Sequence, residues 1–146
     1  MEIYFRHDQK CFNFRVAAII KTNDKILLSK FNEVYTLPGG RVEFGETTEK
    51  AIQRKIFKDL EIKVEVSRLI SINENFFEYD VDEYHEVLFT YLCEIDEKID
   101  VDRVSNNNKN FDLVYLNDLT HLNFKPGYLL DELKKIPLKI AHNVNI

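Results

Sequence analysis

Apolar residues fall into short runs along the first forty positions, as β-strands require. Residues 12–20 are rich in β-forming side chains, and a second apolar run covers residues 25–29. The intervening Thr22-Asn23-Asp24 has turn chemistry, so the pattern predicts a hairpin. A third strand over residues 34–37 ends at Pro38-Gly39-Gly40. A proline followed by two glycines predicts a tight loop whose backbone can approach a ligand.

The apolar period changes to that of a helix between residues 47 and 60. Thr47 suits the N-cap position, and Glu49 lies in the first turn, where a carboxylate is favourable. The apolar positions at helical spacing are Ile52, Ile56, Phe57 and Leu60. This segment is the clearest predicted helix of the chain.

Two long β-rich stretches follow, residues 62–77 and residues 84–95, with an acidic turn at residues 79–83 between them. Phe76, Phe77, Tyr79 and Tyr84 flank this turn. These aromatic residues fit hairpin pairing or core packing, with stacking on a base as the alternative. His85 is expected to have a structural role.

The last third of the chain gives weaker signals. Residues 96–110 contain three consecutive asparagines and predict a mobile surface loop. We predict a short strand over residues 111–116 and a second helix over residues 126–136, and no regular element in the tail from Pro137. Strands and helices mix without a linker or repeat, so we expect a single domain over residues 1–146.

Composition narrows the function classes. The chain has 45% hydrophobic residues and a net charge of −5, from 20 basic and 25 acidic residues. An acidic balance without a long basic run excludes a protein that coats nucleic acid or an anionic membrane. No run approaches the ~20 apolar residues of a membrane span. Cys11 and Cys93 lie far apart in apolar strings and predict buried free thiols, so a cytoplasmic protein is expected.

The segment from Gly39 to Ile62 carries the candidate chemistry. Its spacing resembles the Nudix box, G-x5-E-x7-R-E-U-x-E-E-x-G-U, where U is a bulky aliphatic residue. The matching residues are Gly40, Glu46, Arg54, Ile56 and Ile62, with Asp59 matching in charge. The departures are Lys55 and Lys58 in place of glutamates, and Glu61 in place of glycine.

The resemblance extends to Leu37-Pro38-Gly39-Gly40 and to the strand over residues 14–19. It implies a Nudix-like α/β/α sandwich with a mixed β-sheet between the box helix and the late helix. It also implies Mg²⁺- or Mn²⁺-dependent hydrolysis of a nucleoside diphosphate linked to another moiety, by attack of water on phosphorus. Many Nudix proteins are dimers, so a homodimer is among the partners that it suggests.

The same resemblance assigns roles to individual residues. Glu46, Arg54 and Asp59 are the catalytic candidates, with Arg54 orienting carboxylates through hydrogen bonds. The candidate substrate contacts are Arg15, Gly39, Gly40, Lys55 and Lys58. The candidate metal ligands are Asp59, Glu46 and Glu86. Glu86 lies outside the box, in an apolar strand, where a carboxylate needs a partner.

The two lysines leave three readings open. Each replacement of glutamate by lysine changes the local charge by two units, and an ammonium group is no ligand for a hard cation. In the first, Mg²⁺ is held weakly by Asp59 with Glu46, Glu43 or Glu86, helped by substrate phosphates, which would leave slow hydrolysis. Alternatively, Lys55 and Lys58 bind phosphates directly in a nucleotide-binding pseudoenzyme. In the third reading, Lys55 pairs with Asp59 across one turn of a solvated helix face, and the protein is a structural or interaction module.

Overall fold

A mixed nine-stranded sheet forms the centre of the computed structural model, which describes residues 1–146. The strands are β1 Tyr4–His7, β2 Lys10–Thr22, β3 Lys25–Phe31, β4 Val34–Thr36, β5 Gly39–Arg41, β6 Val64–Tyr79, β7 Asp82–Ile95, β8 Phe111–Tyr115 and β9 Ala141–Asn145. The α-helices are α1 Thr48–Leu60, α2 Val101–Asn106 and α3 Leu130–Lys134, and two 3₁₀ turns cover Leu116–His121 and Gly127–Leu129.

The strand order is β4-β3-β2-β7-β6-β9, with β1 and β5 paired to β2 and β8 paired to β3. The β2–β7 and β6–β9 pairs are parallel, and the others are antiparallel. Because β2 has β7 on one side and β1, β5 and β3 in turn on the other, it is the strand around which the sheet is organised. The prediction of a mixed sheet is confirmed.

Helices cover both faces of the sheet, which confirms the predicted α/β/α arrangement. On one face, the buried residues Ile52 and Ile56 of α1 pack in a cluster with Val16, Ala18 and Ile20 of β2. On the other face, residues of the 3₁₀ turns and α3 pack on the alternate positions of the same strand. Those residues include Leu119, Leu129 and Leu133, against Ala17 and Ile19. The alternation of side chains along β2 therefore supplies both cores.

The predicted box helix is confirmed at both ends. The Thr47 side chain accepts a hydrogen bond from the backbone N–H of Lys50, as an N-cap should. The helix ends at Glu61, which has a left-handed φ of 58° and donates its N–H to the Phe57 carbonyl. The side chain of Phe57, predicted on the apolar stripe, is 50% exposed instead, because it lies one position beyond the buried Ile56.

Three predictions for the last third of the chain are wrong or incomplete. The expected loop at residues 96–110 contains α2, which Asp100 caps by accepting from the Arg103 N–H. The late helix is shorter than predicted, since a 3₁₀ turn takes its first residues. The tail forms β9, parallel to β6. Amide side chains join these two strands, with Asn143 donating to Asn73 at 2.7 Å, so no apolar pattern marks the strand.

Cys11 and Cys93 are buried free thiols, as predicted. Burial raises the pKa of Cys93 to about 12, so its thiolate is scarce and the side chain acts as a small apolar group. No helix is long and apolar enough to cross a membrane.

We predict that Glu61→Gly stabilises the fold by about 0.5–1 kcal/mol, because a residue with a Cβ is strained in the left-handed region that Glu61 occupies. The gain is smaller than the full strain because glycine also loses more entropy on folding. Urea denaturation measures the difference. Glu65→Gly, at an exposed position inside β6, is the matched control and should destabilise. An unchanged or lower stability of Glu61→Gly would contradict the assignment of strain to this helix end.

Candidate functional site

A polar groove of about 340 Å³ lies where β2, β5 and α1 meet. No hydrophobic residue lines it, and its lining contains five basic residues and two acidic ones. The lining residues are Glu2, Asn13, Arg15, Gly39, Gly40, Arg41, Glu43, Arg54, Lys55 and Lys58. In a chain with a net charge of −5, this local excess of positive charge makes the groove a candidate anion site.

The structure brings all five predicted substrate contacts to this groove. Arg15 comes from β2, Gly39 and Gly40 from β5, and Lys55 and Lys58 from α1. They meet because β5 pairs with β2 at Arg15–Ala17 while α1 packs over the same strands. Their role in binding stays a prediction.

Glu46 and Arg54 form a bidentate ion pair beside the groove. Arg54 donates from Nε to Glu46 Oε2 at 3.0 Å and from Nη2 to Glu46 Oε1 at 2.8 Å. The same Nη2 donates to the Arg41 carbonyl at 3.0 Å, and the Glu43 N–H donates to Glu46 Oε1 at 2.7 Å. The Arg54 guanidinium therefore holds the pKa of Glu46 below its ordinary value, although partial burial opposes the shift. The pair fastens the segment between β5 and α1 to the helix.

Lys55 lies across Gly40. A Cβ at Gly40 would come within 2.7 Å of Lys55 Cε and 2.9 Å of its Cδ, so glycine makes room for the lysine stem. At its end, the Lys55 ammonium lies 3.3 Å from Asp59 Oδ1, one helical turn further on. The Lys55–Asp59 pair that was one of three expectations is therefore present.

Gly39 and Gly40 are required by packing within the protein, and the approach of a ligand to their backbone stays a prediction. A Cβ at Gly39 would lie 2.0 Å from the Val16 carbonyl oxygen of β2. Neither Gly39 nor Gly40 has a positive φ, whereas Gly45 does, at 88°. The backbone conformation that favours glycine was predicted at Gly39 and Gly40, and it occurs at Gly45 instead.

Lys58 and Arg15 are the basic residues of the groove that have no close ion-pair partner. Lys58 is exposed and takes part in no ion pair. The Arg15 side chain is 42% exposed, with Nη1 3.8 Å from Glu86 Oε1. Its Nε is buried and has no hydrogen-bond partner. Both side chains can therefore donate to an anion without breaking a close contact.

Glu86 is buried in a polar cluster on the sheet face opposite α1. Its Oε2 accepts from Asn75 Nδ2 at 2.9 Å, and its Oε1 lies 3.5 Å from Asn13 Nδ2. Tyr128 in turn donates to Asn75 Oδ1 at 2.8 Å. The expectation that this carboxylate needs a partner is confirmed, and its partners are amides and Arg15.

The acidic residues present do not fit a Mg²⁺ centre. Both carboxylate oxygens of Glu46 accept hydrogen bonds from Arg54, Asp59 forms an ion pair with Lys55, and Glu86 is hydrogen-bonded within the amide cluster. The three predicted ligands are thus kept apart, and no three His, Cys, Asp or Glu residues of the chain form a group that could hold a metal ion. Mg²⁺ needs hard oxygen donors in octahedral array, and the predicted carboxylates do not come together into such an array.

Asn13, Arg41 and Glu2 line the groove and were not predicted from the sequence. Arg41 donates from Nε to Asn13 Oδ1 at 2.7 Å and from Nη1 to Glu2 at 3.1 Å, while its guanidinium lies 3.9 Å from the Tyr4 ring centroid. The alternation that places Asn13 on the same strand face as Arg15 could have identified Asn13. Arg41 and Glu2 depend on contacts between distant segments.

Comparison with known proteins gives one consistent result. The NUDIX domain family model matches residues 12–132. A Nudix hydrolase from Nitrosomonas europaea has a TM-score of 0.63 and 16% identity, over 92% of this chain and 79% of its own. An ADP-ribose pyrophosphatase from Streptococcus suis 89-1591 has a TM-score of 0.53 and 18% identity, over 90% and 98%. MutT, a Nudix hydrolase from methicillin-resistant Staphylococcus aureus 252, has a TM-score of 0.58 and 25% identity, over 85% and 94%.

We predict that Glu46→Gln lowers the free energy of unfolding by about 1–2 kcal/mol at neutral pH, because a charged, partly buried hydrogen-bonded pair is lost. The folded pKa of Glu46 is lowered, so its contribution is complete above the ordinary glutamate pKa of about 4.3 and disappears as pH falls through the folded pKa. Urea denaturation of both proteins should show that the difference in their free energies of unfolding shrinks as the pH is lowered.

The matched control is Glu49→Gln, an exposed glutamate in the first turn of the same helix. It should change stability by no more than about 0.5 kcal/mol. A difference between wild type and Glu46→Gln that stays constant from neutral to acid pH would show that the carboxylate charge is not what holds Arg54.

Proposed function

The chain belongs to the Nudix family, and we propose that its groove binds the diphosphate of a nucleoside diphosphate linked to another moiety, without a resident metal ion. The observation that carries this proposal is the cationic lining of the groove, with five basic residues against two acidic ones. Nudix hydrolases generally act on nucleotide-type substrates, which supports the ligand class.

Three side chains are available to a diphosphate. Arg15 presents the terminal nitrogens of a planar, half-exposed guanidinium, which are suited to hydrogen bonds with phosphate oxygens. Lys58 presents an exposed ammonium from α1. Lys55 is fixed over Gly40 and shared with Asp59. Arg41 and Arg54 are already paired with Glu2 and Glu46, so they offer no free hydrogen-bond donors. They contribute positive electrostatic potential to the groove and hold its neighbouring segments in place.

The lysines take over part of the charge neutralisation that divalent metals generally provide in Nudix hydrolases. A multi-carboxylate face on α1 would repel a diphosphate until a cation arrived. Here Lys55 and Lys58 make the same face attractive on its own. Their positions on one side of the helix, at i and i+3, let both reach a single ligand.

A second candidate is slow hydrolysis of the same ligand, with the divalent metal arriving on the substrate. Glu43 favours it, because its carboxylate lines the groove, is 44% exposed and is 3.8 Å from its nearest cation, Arg54. Mg²⁺ is often held by one or two carboxylates together with substrate phosphates. In this reading, Glu46, Arg54 and Asp59 keep the catalytic roles that the resemblance assigns.

We extend the proposal to the organisation and location of the protein. A shared sheet with cores on both faces supports a single domain over residues 1–146. The buried, unpaired thiols Cys11 and Cys93 support a reducing compartment such as the cytoplasm.

We predict that ADP-ribose binds the wild-type protein in the presence of EDTA and that Lys58→Ala and Arg15→Ala each weaken binding about tenfold or more, since a charge-assisted hydrogen bond is worth about 1.5–3 kcal/mol. Isothermal titration calorimetry measures both. UDP-glucose and ADP serve as further probes of the ligand class. Wild-type protein that binds none of them in EDTA would overturn binding without a resident metal.

The matched control for Lys58→Ala is Lys50→Ala, which removes an exposed lysine from the same helix outside the groove. Its affinity should equal that of the wild type. An equal loss in both variants would mean that the net charge of the helix, and not the groove, attracts the ligand.

We predict that Mg²⁺ or Mn²⁺ alone does not raise the melting temperature of the wild type but raises that of the Lys55→Glu/Lys58→Glu double variant, which places two further carboxylates near Asp59. A ligand that binds the native state alone stabilises it by RT ln(1 + [L]/Kd), so a bound metal ion raises the melting temperature. Differential scanning fluorimetry with Mg²⁺, and with K⁺ at equal ionic strength as control, measures the effect. A metal-dependent rise in the wild type, with turnover that Asp59→Ala abolishes, would instead support hydrolysis.

A further inference from the structure

Two arginines of the groove, Arg15 and Arg41, lie directly opposite each other where β2 pairs with β5. Side chains at opposite positions of an antiparallel pair lie on the same face with their Cβ atoms about 5 Å apart, and like charges placed in this way repel each other. An anion that contacts both guanidinium groups relieves that repulsion. The register of the two strands therefore prepares this wall of the groove for a ligand with more than one negative charge.

Each of the two arginines has a carboxylate of the chain beside it. Arg41 Nη1 donates to Glu2 Oε2 at 3.1 Å. Arg15 Nη1 lies 3.8 Å from Glu86 Oε1. The chain thus supplies its own anions to a pair of cations that would otherwise repel each other.

The two carboxylates differ in how firmly they are held. Glu86 is 7% exposed and accepts a hydrogen bond from Asn75 at 2.9 Å, so it belongs to the buried polar cluster. The Glu2 side chain is 54% exposed, and Arg41 is its only hydrogen-bond and ion-pair partner. An exposed ion pair contributes little to stability. Exchange of the Glu2 carboxylate for another anion therefore costs little.

The backbone on both sides of Glu2 is fixed to the segment that follows β5. The Phe44 N–H donates to the Met1 carbonyl at 2.7 Å, and the Ile3 N–H donates to the Val42 carbonyl at 2.8 Å. The Glu2 carboxylate is thereby kept close to its arginine, at a high effective concentration. Its departure requires only rotation about the bonds of an exposed side chain.

Arg41 has two further contacts that hold it in place when Glu2 leaves. Its guanidinium group lies 3.9 Å from the centroid of the Tyr4 ring, a cation–π contact that uses the face of the group. Its Nε donates to Asn13 Oδ1 at 2.7 Å. Once the Glu2 carboxylate is displaced, both terminal nitrogens of Arg41 can donate to phosphate oxygens in the plane of the guanidinium group.

We propose that Glu2 is an internal competitor of the ligand, which displaces the Glu2 carboxylate from Arg41 and is then bound by Arg41 together with Arg15. This inference rests on the proposed function and adds to it a residue that selects ligands by their charge. A carboxylate ligand would only replace one carboxylate by another. A diphosphate carries more charge and can bond both guanidinium groups, so it displaces Glu2 with a net gain.

Isothermal titration calorimetry with ADP-ribose and with inorganic pyrophosphate, both in EDTA, tests the inference. Glu2→Gln keeps the size of the side chain and removes its charge. It should bind both probes about fivefold more tightly than the wild type, a ratio that corresponds to about 1 kcal/mol for the exposed pair. An affinity equal to that of the wild type would overturn the inference and leave diphosphate binding by the groove intact.

The matched control is Glu49→Gln, which removes the same charge from an exposed position on α1 outside the groove. Its affinity for both probes should equal that of the wild type. A gain in Glu49→Gln as large as that in Glu2→Gln would overturn the inference, because the net charge of the protein would then explain both.

A double-mutant cycle with Arg41 separates displacement from long-range repulsion. Arg41→Ala should weaken pyrophosphate binding about twofold in the wild type, where the lost contact is offset by the Glu2 pair that no longer has to be broken. It should weaken binding about tenfold in the Glu2→Gln background, where nothing offsets the lost charge-assisted bond. An equal gain from Glu2→Gln with and without Arg41 would overturn the inference, since Glu2 would then act through its charge alone.

Folding and the proposed function are checked separately. Arg41→Met keeps the length of the side chain without its charge, and it takes the place of Arg41→Ala in the cycle if the alanine variant does not fold. Glu2→Gln should melt close to the wild type, because the pair that it removes is exposed. Absence of binding of both probes to the wild type and to Glu2→Gln alike would overturn the proposed function, and this inference with it.

Discussion

The bidentate pair between Arg54 and Glu46 is the interaction on which the groove depends. It fastens α1 to the segment that follows β5, and the same guanidinium bonds the Arg41 carbonyl at the end of that strand. Three backbone segments therefore share one arginine. Since β5 itself is paired to the central strand β2, the position of the α1 face over the sheet edge is fixed before any ligand arrives. A preorganised wall of this kind spares a ligand the cost of ordering it.

Once α1 is fixed, the side chains at positions 55 and 58 decide the chemistry of the groove. Carboxylates there would need a metal ion to hold a diphosphate, whereas lysines need none. Asp59, the acid that remains, is drawn to Lys55 because it lies one turn away. Gly40 accommodates the Lys55 stem, so the glycine of the family pattern is retained in a site whose charge is reversed. The glycine of the family pattern is therefore compatible with a lysine at position 55.

The parts of this structure that depend on local physics could be predicted from the sequence. The bounds of α1 follow from the Thr47 cap and the apolar spacing, and the β2–β3 hairpin follows from its turn residues. The parts that depend on pairing between distant segments could not. β9 is joined to β6 by hydrogen bonds between amide side chains, such as the one from Asn143 to Asn73. Such contacts leave no periodic apolar pattern in the sequence. The burial of Glu86 among amides, and the place of Arg41 in the groove, likewise require the register of strands far apart in sequence.

One end of the sheet stays uncovered on the side of α1 because of a mismatch of lengths. The 13 residues of α1 span about 20 Å, while the 16 residues of β6 extend over about 50 Å, so the helix cannot cover the far end of the β6–β7 hairpin. The rings of Phe12 and His85 are left there, and the flanking charges of Lys10 and Glu83 keep the area soluble. The groove and this face share no lining residue. Both surfaces draw on the central strand β2, through Lys10 and Phe12 at one and Asn13 and Arg15 at the other, so a substitution in one lining leaves the residues of the other unchanged.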